Sequence, residues 1–566
     1  MEEKFMDGGE AVLQACRDLN IEHIITSPGS DWGAVWEALA RQQVNNVPGP
    51  AYLSCGHETL AVDLAFGHAF MTGRLQAVLL HAGVGLMQGA MGIHGCRLSE
   101  IPVVVMSGES RTFGDQTGFD PGAQWYTNHN SMGGFQRYID PLVKWSHQAG
   151  SAANIYELVM RAGEMAQSAP VGPTYLDVPI EVMTDRWVPP VKLRQAPPAP
   201  KLRPVAADLE KVAALLIAAK NPVITTASAG RTREGYEALI ELAELLAIPV
   251  VEGPAAEVTN FPKNHPLHQG FEVNPLLKEA DLALVIKNRT PWHPPNRGPV
   301  NARVVVIDES PFKLHMAYQN LQADFYLTGD VAVSLRLLAE AVRAARPQAS
   351  AVSKRLSRWA AAHEKLDQRR RAAEKEARAT RGIHPVTLCA TLAKVLPPGT
   401  IYLDETTVHG GLNRRHLACH GPQSYVAVRS GLGQGIGIAL GVKLARPHQP
   451  VVALLGDGAF LYNPAVQCLG FARDQKLPIM VVVFNNRGYR AMRENQISYY
   501  PDGTGAKNKL FYGESINGFD YEELAKLFGG VGIRVEDPAE LKSALRQGHA
   551  AVMAGKSAIV NVLLAD

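Results

Sequence analysis

Residues 451–486 read VVALLGDGAFLYNPAVQCLGFARDQKLPIMVVVFNN, and this stretch decides the fold. Two strongly apolar runs, 451–455 and 479–484, each end in a short turn. The first turn is Gly456-Asp457-Gly458 and the second is Asn485-Asn486, with one helix-length segment, 462–476, between the strands. Strand, helix and strand in this order predict a βαβ unit of a parallel sheet. Such sheets bind ligands at the C-terminal ends of their strands. The Asp457 carboxylate and an asparagine carbonyl are hard oxygen donors that suit Mg²⁺, and a cation with so few protein ligands completes its octahedron with phosphate oxygens and water. The glycines beside Asp457 let the backbone approach a phosphate closely. The two turns therefore predict a Mg²⁺–diphosphate site. Two ordinary strand-to-loop turns would also give these residues, so the rest of the chain has to arbitrate.

At 566 residues the chain exceeds one core, and three domains of ordinary size fit. With 46% hydrophobic and 19% charged residues it is globular in composition. A net charge of +2 gives no electrostatic case for nucleic acid or an anionic membrane. No apolar run reaches the roughly 18–20 residues needed to span a bilayer. The start, MEEKFMDGGE, has acidic residues and no apolar core, so no signal peptide is expected. Six scattered cysteines form no CxxC pair, which leaves zinc and redox readings unsupported and makes a reducing cytoplasm the expected location.

Two stretches punctuate the sequence. Residues 187–204 (WVPPVKLRQAPPAPKLRP) predict an extended linker. Residues 346–382 are charged and alanine-rich with helical spacing. Their acids and bases are interspersed, which predicts a solvated helix rather than a nucleic-acid patch. The boundaries that follow are an N-terminal domain 1–186, a linker 187–204, a central domain 205–345, a helical linker 346–382 and a C-terminal domain 383–566. Each domain alternates short β-rich runs with helical stretches. Expected strands are 23–26, 77–81 and 102–107 in the first; 222–226, 249–252, 283–286 and 303–308 in the second; and 400–403, 451–455, 479–484 and 558–564 in the third. Continuous apolar strands with intervening helices imply α/β architecture, with three doubly wound parallel sheets covered on both faces.

Gly456-Asp457-Gly458, 26 intervening residues and Asn485-Asn486 resemble the signature of thiamine diphosphate (ThDP) enzymes. The resemblance implies a pyrimidine-binding N-terminal domain, a central domain and a diphosphate-binding C-terminal domain. It also implies a carboxylic acid that holds the cofactor's aminopyrimidine in its imino form. Glu58, in Cys55-Gly56-His57-Glu58-Thr59 ahead of the apolar helix 60–70, is the candidate. By itself it also reads as a first-turn acid facing a helix dipole.

Three further stretches are similar to benzoylformate decarboxylase. Thr26-Ser27-Pro28-Gly29-Ser30 resembles its NPGS loop, which implies that Ser30 contacts a substrate carboxylate. Leu79-Leu80-His81-Ala82-Gly83 resembles its NLHSAAG segment and makes His81 an acid/base, 23 residues after Glu58 as in that family. Pro141-Leu142-Val143-Lys144-Trp145-Ser146 resembles its PLVKWS stretch. The run 169–179, APVGPTYLDVP, resembles the end of the pyrimidine domain in many relatives. His293, in the loop KNRTPWHPPN after strand 283–286, lies at nearly the spacing of that enzyme's second histidine, which implies a second acid/base; an exposed structural histidine is the alternative.

In the C-terminal domain, Gly431-Leu432-Gly433-Gln434-Gly435 resembles the GGLG turn, with Leu432 as an apolar wedge under the cofactor. The family pattern places Asp457, Asn486 and the Gly488 carbonyl on the metal. Gly456, Gly458, Thr407 and Tyr489 would sit around the diphosphate. Ala491, Met492 and Gln136 are candidate pocket residues, with Gln124 and Asn130 as alternatives to Gln136. Residues 499–518 suggest a lid or substrate-determining insert. The segment 112–137 has no His-His pair, which argues against a pyruvate-decarboxylase-like site. Residues 225–230 match a flavin loop poorly, which argues against FAD.

Together these motifs imply a ThDP- and Mg²⁺-dependent enzyme that decarboxylates a 2-oxo acid without oxidation, through an enamine intermediate, to give an aldehyde. The alternative is a carboligase or carbon–carbon lyase of the acetolactate synthase, benzaldehyde lyase or 2-hydroxyacyl-CoA lyase type, acting on a 2-hydroxy ketone or thioester. A non-catalytic protein with the same fold is the remaining reading. The resemblance further implies a homodimer or homotetramer with active sites shared between subunits.

Overall fold

The computed structural model describes residues 6–109, 123, 125, 127, 134–316, 319 and 321–565. The chain divides into two compact units. The first holds the chain up to Pro200 with Arg429–His448 and Phe460–Ile479, and the second holds Lys201–Val428, Gln449–Ala459 and the chain from Met480 onward.

The first unit is built on strands β1 (His23–Thr26), β2 (Ala51–Ser54), β3 (Gln76–Leu80), β4 (Val103–Ser107), β5 (Trp145–Gln148) and β6 (Thr174–Asp177). Their order is β2-β1-β3-β4-β6-β5, and every pairing is parallel. β3 and β4 are buried along their whole length, as expected of strands covered on both faces. Helices Gly8–Asp18 and Ala152–Gln167 contribute Leu13, Tyr156 and Val159 to a core shared with Ile24, Trp32 and Val104. Helix Glu58–Thr72 is buried from Leu60 to Met71 and packs against helix Gly435–Ala445. That contact requires glycine. A Cβ on Gly67 would lie 2.2 Å from the Ile438 carbonyl oxygen, and one on Gly441 would lie 2.3 Å from that of Leu64.

The second unit carries two sheets. One has β7 (Pro222–Thr226), β8 (Val250–Glu252), β9 (Leu282–Ile286), β10 (Arg303–Asp308) and β11 (Phe325–Thr328) in the order β11-β10-β9-β7-β8. The other has β12 (Ile401–Glu405), β13 (Tyr425–Ala427), β14 (Val451–Gly456), β15 (Met480–Asn485), β16 (Val531–Val535) and β17 (Ala558–Leu563) in the order β13-β12-β14-β15-β17-β16. All of these pairings are parallel too. The three α/β sheets expected from the sequence are thus present. The first and third share one strand order: second, first, third, fourth, sixth, fifth. In both, the winding reverses between the first and third strands, and at such a switch point the strand ends splay apart and leave a crevice for ligand.

Several local expectations are corrected. The segment after β14 is not one helix over 462–476. Helix Asp457–Tyr462 begins at Asp457 itself, and helix Ala465–Asp474 follows Pro464, which cannot continue a helix from the preceding turn. Strands β2, β5, β6, β11, β13 and β16 join those expected. The charged segment forms helix Ala349–Ala379, in which only Glu374 and Ala377 are buried, as a solvated helix requires. No helix among the described residues is long and apolar enough to cross a membrane.

Candidate active site

In the first unit the switch point lies between β1 and β3, and the residues that follow these strands meet there. The chain leaves β1 through Gly29 into a short turn, Ser30–Trp32. Trp32 is fully buried, and its indole N–H donates to the Leu80 carbonyl at 2.8 Å. This anchor turns the neighbouring Asp31 inward, and its carboxylate lies 2.7 Å from His81 Nδ1. The other carboxylate oxygen accepts the Gly108 N–H at 3.0 Å, so Asp31 is held from both sides with no exposed surface. A Cβ on Gly29 would sit 2.3 Å from both His81 Nδ1 and Asp31, and one on Gly108 would sit 2.3 Å from Asp31. Both positions therefore need glycine. The hydrogen bond and charge of Asp31, with a contribution from Glu58, raise the His81 pKa above the ordinary imidazole value although burial opposes this. With Nδ1 committed to Asp31, the exchangeable proton of His81 is the one on Nε2. The Trp125 ring stands edge-on to the imidazole, 6.0 Å between centroids. Ser30 is exposed beside Asp31.

Glu58 is the first residue of helix Glu58–Thr72, after the N-cap His57, whose ring accepts the Thr59 N–H at 3.2 Å. Helix Val84–Leu98 approaches it through glycines: positions for a Cβ on Gly85 lie 3.4 Å from the Glu58 carboxylate and 3.0 Å from His81 Cβ. Further along the same helix, Met91 and Gly95 meet Gly431, Ser430 and Gln434. One helix thus touches both the Glu58–His81 corner and the turn that carries Leu432, which is half-buried. Gln434 is fully buried and donates to Asp63 at 2.9 Å, fixing the turn to the Glu58 helix.

The second unit holds the metal candidates at the C-terminal ends of the neighbouring strands β14 and β15. Asp457 is 2% exposed and accepts two backbone N–H bonds, from Gly458 at 2.9 Å and Gly488 at 3.0 Å. The Asn486 side-chain oxygen accepts the same Gly488 N–H at 3.1 Å, so the two oxygen donors converge on one peptide. Asn485 turns away and donates to Asn561 at 3.0 Å, which fixes the strand end. Burial pushes the Asp457 carboxyl above its usual range despite the backbone donors. A desolvated carboxylate of this kind favours its charged form once a cation is adjacent. These residues fit a Mg²⁺ ion in that respect. The Tyr489 ring abuts Gly458, where a Cβ would fall 2.5 Å from it. Gly456 is partly exposed at the end of β14, and Thr407 is exposed after β12.

Two residues in these surroundings escaped the sequence reading. Asp31 sits next to Ser30, and an acid in the loop after a strand was its only available signal. His409 is 4% exposed, and its Nε2 has no hydrogen-bond partner. Its ring lies 5.6 Å from that of Phe484 near the end of β15, and burial, with Arg490, lowers its pKa to about 4. A buried, unpaired ring nitrogen at a strand end suits an anionic or polar ligand group.

The remaining candidates are more scattered. His293 is exposed on the loop after β9 in the second unit. Gln136 donates its amide to the Ser146 carbonyl at 3.2 Å, which commits it to β5. Ala491 is partly exposed and Met492 is 54% exposed on helix Arg490–Tyr499. Residues 499–518 include the short helix Thr504–Asn508. Gln124 and Asn130 lie outside the described residues.

The first unit thus gathers an acid, a histidine and a glutamate at one sheet edge, and the second pairs a carboxylate with an amide oxygen at the ends of β14 and β15. The thiamine pyrophosphate enzyme descriptions match the chain in three pieces: the N-terminal TPP binding domain over residues 6–136, the central domain over 209–338 and the C-terminal TPP binding domain over 406–562. The chain belongs to the thiamine pyrophosphate enzyme family, and thiamine diphosphate is its cofactor. Among its relatives, the acetolactate synthase isozyme 3 large subunit of Escherichia coli is 26% identical, over 99% of this chain and 95% of its own length. The benzoylformate decarboxylase of Pseudomonas aeruginosa is also 26% identical, over 88% of this chain and 89% of its own. The structure of the Rhodococcus jostii thiamine diphosphate-dependent 4-hydroxybenzoylformate decarboxylase superposes with a TM-score of 0.79 at 21% identity, covering 99% of each chain, and so shares the fold.

Proposed function

We propose that this enzyme uses ThDP with Mg²⁺ to decarboxylate a 2-oxo acid without oxidation, as a benzoylformate decarboxylase does. The observation that carries this reading is the Asp31–His81 pair. Its 2.7 Å bond and raised imidazole pKa keep a proton donor at the strand edge near Glu58. Delivery of that proton to carbon is the step that makes an aldehyde rather than a ketol.

When bound, ThDP supplies the nucleophilic carbon and the sink for the electrons left by CO₂. Glu58 would hold a proton towards the aminopyrimidine ring, and Leu432 would shape the cofactor's seat. Asp457, the Asn486 side chain and the Gly488 carbonyl would hold Mg²⁺, and Gly456, Gly458, Thr407, Tyr489 and His409 would border the diphosphate. Ser30 orients the substrate carboxylate and His81 donates the proton from Nε2. His293 is assigned the second proton transfer, and Gln136, Ala491 and Met492 line the pocket. Three domains, 1–186, 205–345 and 383–566, joined by 187–204 and 346–382, assemble as a homodimer or homotetramer with shared active sites. Six buried free cysteines suit a cytoplasmic setting.

One observation favours carboligation or carbon–carbon cleavage instead: the acetolactate synthase relative matches nearly the whole chain at the same identity as the decarboxylase. A panel of aliphatic and aromatic 2-oxo acids, with and without an acceptor aldehyde, separates the two. Aldehyde formed in step with CO₂ supports decarboxylation. Release of CO₂ with ketol and no aldehyde, or no release from any 2-oxo acid by ThDP-loaded protein, overturns it.

A further inference from the structure

The far end of helix Glu58–Thr72 carries a cluster that the proposed reaction does not use. His68 lies ten residues beyond Glu58, about 15 Å along the helix at 1.5 Å per residue. It faces the N-terminal ends of β1 and β3, the opposite edge of the sheet from the Asp31–His81 pair. There Glu22, His23 and His68 each offer one ligand atom, and these atoms all lie within 4.8 Å of one another.

The details favour a metal over a simple ion pair. His68 Nε2 is 3.3 Å from one oxygen of Glu22. Two ligands on a tetrahedral ion with bonds of about 2.0–2.1 Å are separated by about 3.3–3.4 Å, so this pair already has the spacing of a tetrahedral edge. The other Glu22 oxygen is taken by Arg74, which orients the carboxylate. His23 Nδ1 lies 3.3 Å from the Gln76 side-chain oxygen. That oxygen can only accept, because the Gln76 amide nitrogen is spent on the carbonyls of Leu75 at 2.7 Å and Arg74 at 3.3 Å. His23 therefore carries its proton on Nδ1 and presents a bare Nε2, the outer-sphere arrangement that orients metal-binding histidines. His68 is 3% exposed, its Nδ1 has no hydrogen-bond partner, and Nε2 is the ring nitrogen that faces Glu22. The positive groups that bear on the cluster are Arg74 and Arg446, and Arg446 is directed to the Met71 carbonyl at 2.7 Å.

We propose that Glu22, His23 and His68 form a binding site for a divalent transition-metal ion of the Zn²⁺ class, with water in the fourth position. Two imidazoles and one carboxylate are the donor set of such ions, not of Mg²⁺. A bound ion would staple β1 to the last turn of the Glu58 helix, remote from the ThDP site.

The test uses the full chain without a histidine tag, stripped with chelator and then saturated with Mg²⁺ and ThDP. Titration with Co²⁺ should give one equivalent of the visible absorption of a tetrahedral centre, displaced by Zn²⁺, and Zn²⁺ should raise the thermal midpoint. Glu22→Gln and His23→Gln, both at partly exposed positions, should abolish the signal with the metal-free thermal midpoint unchanged. Gln76→Leu should weaken binding by roughly 10- to 100-fold. No saturable signal in the parent protein overturns the proposal. So does a signal that survives Glu22→Gln and His23→Gln, or one lost only in Asp457→Asn.

Discussion

Replacing Asp31 with asparagine tests the assigned chemistry of His81 directly. The side chain keeps its shape in a fully buried position, so the perturbation is electrostatic and not steric. In the parent protein one oxygen faces His81 at 2.7 Å and the other accepts the Gly108 N–H at 3.0 Å. Asparagine has a single acceptor. If that oxygen stays on Gly108, its NH₂ group faces His81 Nδ1 and forces that nitrogen to accept, which favours the neutral ring. A hydrogen bond to a charged partner contributes about 1.5–3 kcal/mol. At about 1.4 kcal/mol per decade this predicts a fall in kcat of roughly 10- to 150-fold. The pH profile moves in a defined direction. Asp31 raises the His81 pKa and burial lowers it, so removing the carboxylate leaves burial in control. The alkaline limb of kcat, where His81 loses its proton, therefore shifts to lower pH. Stability follows the same sign. The pair stabilises the fold fully below the ordinary histidine pKa, and this contribution is lost as pH rises through the raised folded value. Asp31→Asn should therefore lower the thermal midpoint more at pH 5.5 than at pH 9. The measurements are kcat and kcat/KM from pH 5 to 9 on ThDP-saturated enzyme, with melting curves at both extremes. A variant with parental kcat and an unmoved alkaline limb would remove His81 from the role of proton donor.

Other perturbations address the remaining parts. Glu58→Gln should still bind Mg²⁺ and ThDP, seen by calorimetry, while losing about 10²–10⁴-fold in turnover; parental rates would refute its role. Asp457→Asn should weaken Mg²⁺-dependent ThDP binding by roughly 100-fold or more, and EDTA should release cofactor from the parent protein in a way that added Mg²⁺ reverses. Cofactor affinity unchanged in that variant would place the metal elsewhere. Gly441→Ala puts a methyl 2.3 Å from the Leu64 carbonyl oxygen and 2.9 Å from Gly67 Cα, so two helix backbones must part. It should cost about 1–3 kcal/mol and lower the thermal midpoint, whereas Gly411→Ala, with nothing within 4 Å of the added carbon, should not.

The strands legible in the sequence are those whose side chains are buried on both faces, such as β3, β4, β14 and β15, because only these read as unbroken apolar runs. Five of the six strands that joined them, β2, β5, β11, β13 and β16, are sheet edges. An edge strand is paired on one side only, and in β2, β5, β11 and β16 few residues are fully buried, so polar residues interrupt the pattern. β6 is the exception: it is interior and wholly buried, yet its Thr174-Tyr175-Leu176-Asp177 is half polar. The helix at Glu58 was legible from its apolar run 60–70, and the structure adds the His57 cap that starts it. The first turn after β14 was not. Gly456-Asp457-Gly458 suggested a loop, and burial of Ala459 and Phe460 draws it into a helix instead.

By itself the sequence pointed to the cofactor, through the resemblance of Gly456-Asp457-Gly458 and Asn485-Asn486 to the ThDP signature. That signature is a run of adjacent residues at two strand ends, so it can be read without knowing how the chain folds back on itself. The common strand order of the first and third sheets, and so the equivalence of their two switch points, was decided only by tertiary structure. So was the partner of His81. Asp31 lies 50 residues before it, and the two meet because Trp32 reaches across to Leu80 once β1 and β3 are side by side. The Glu22–His23–His68 cluster depends likewise on a helix end packing over two strand starts. Such meetings depend on strand register and helix packing, which no stretch of neighbouring residues encodes.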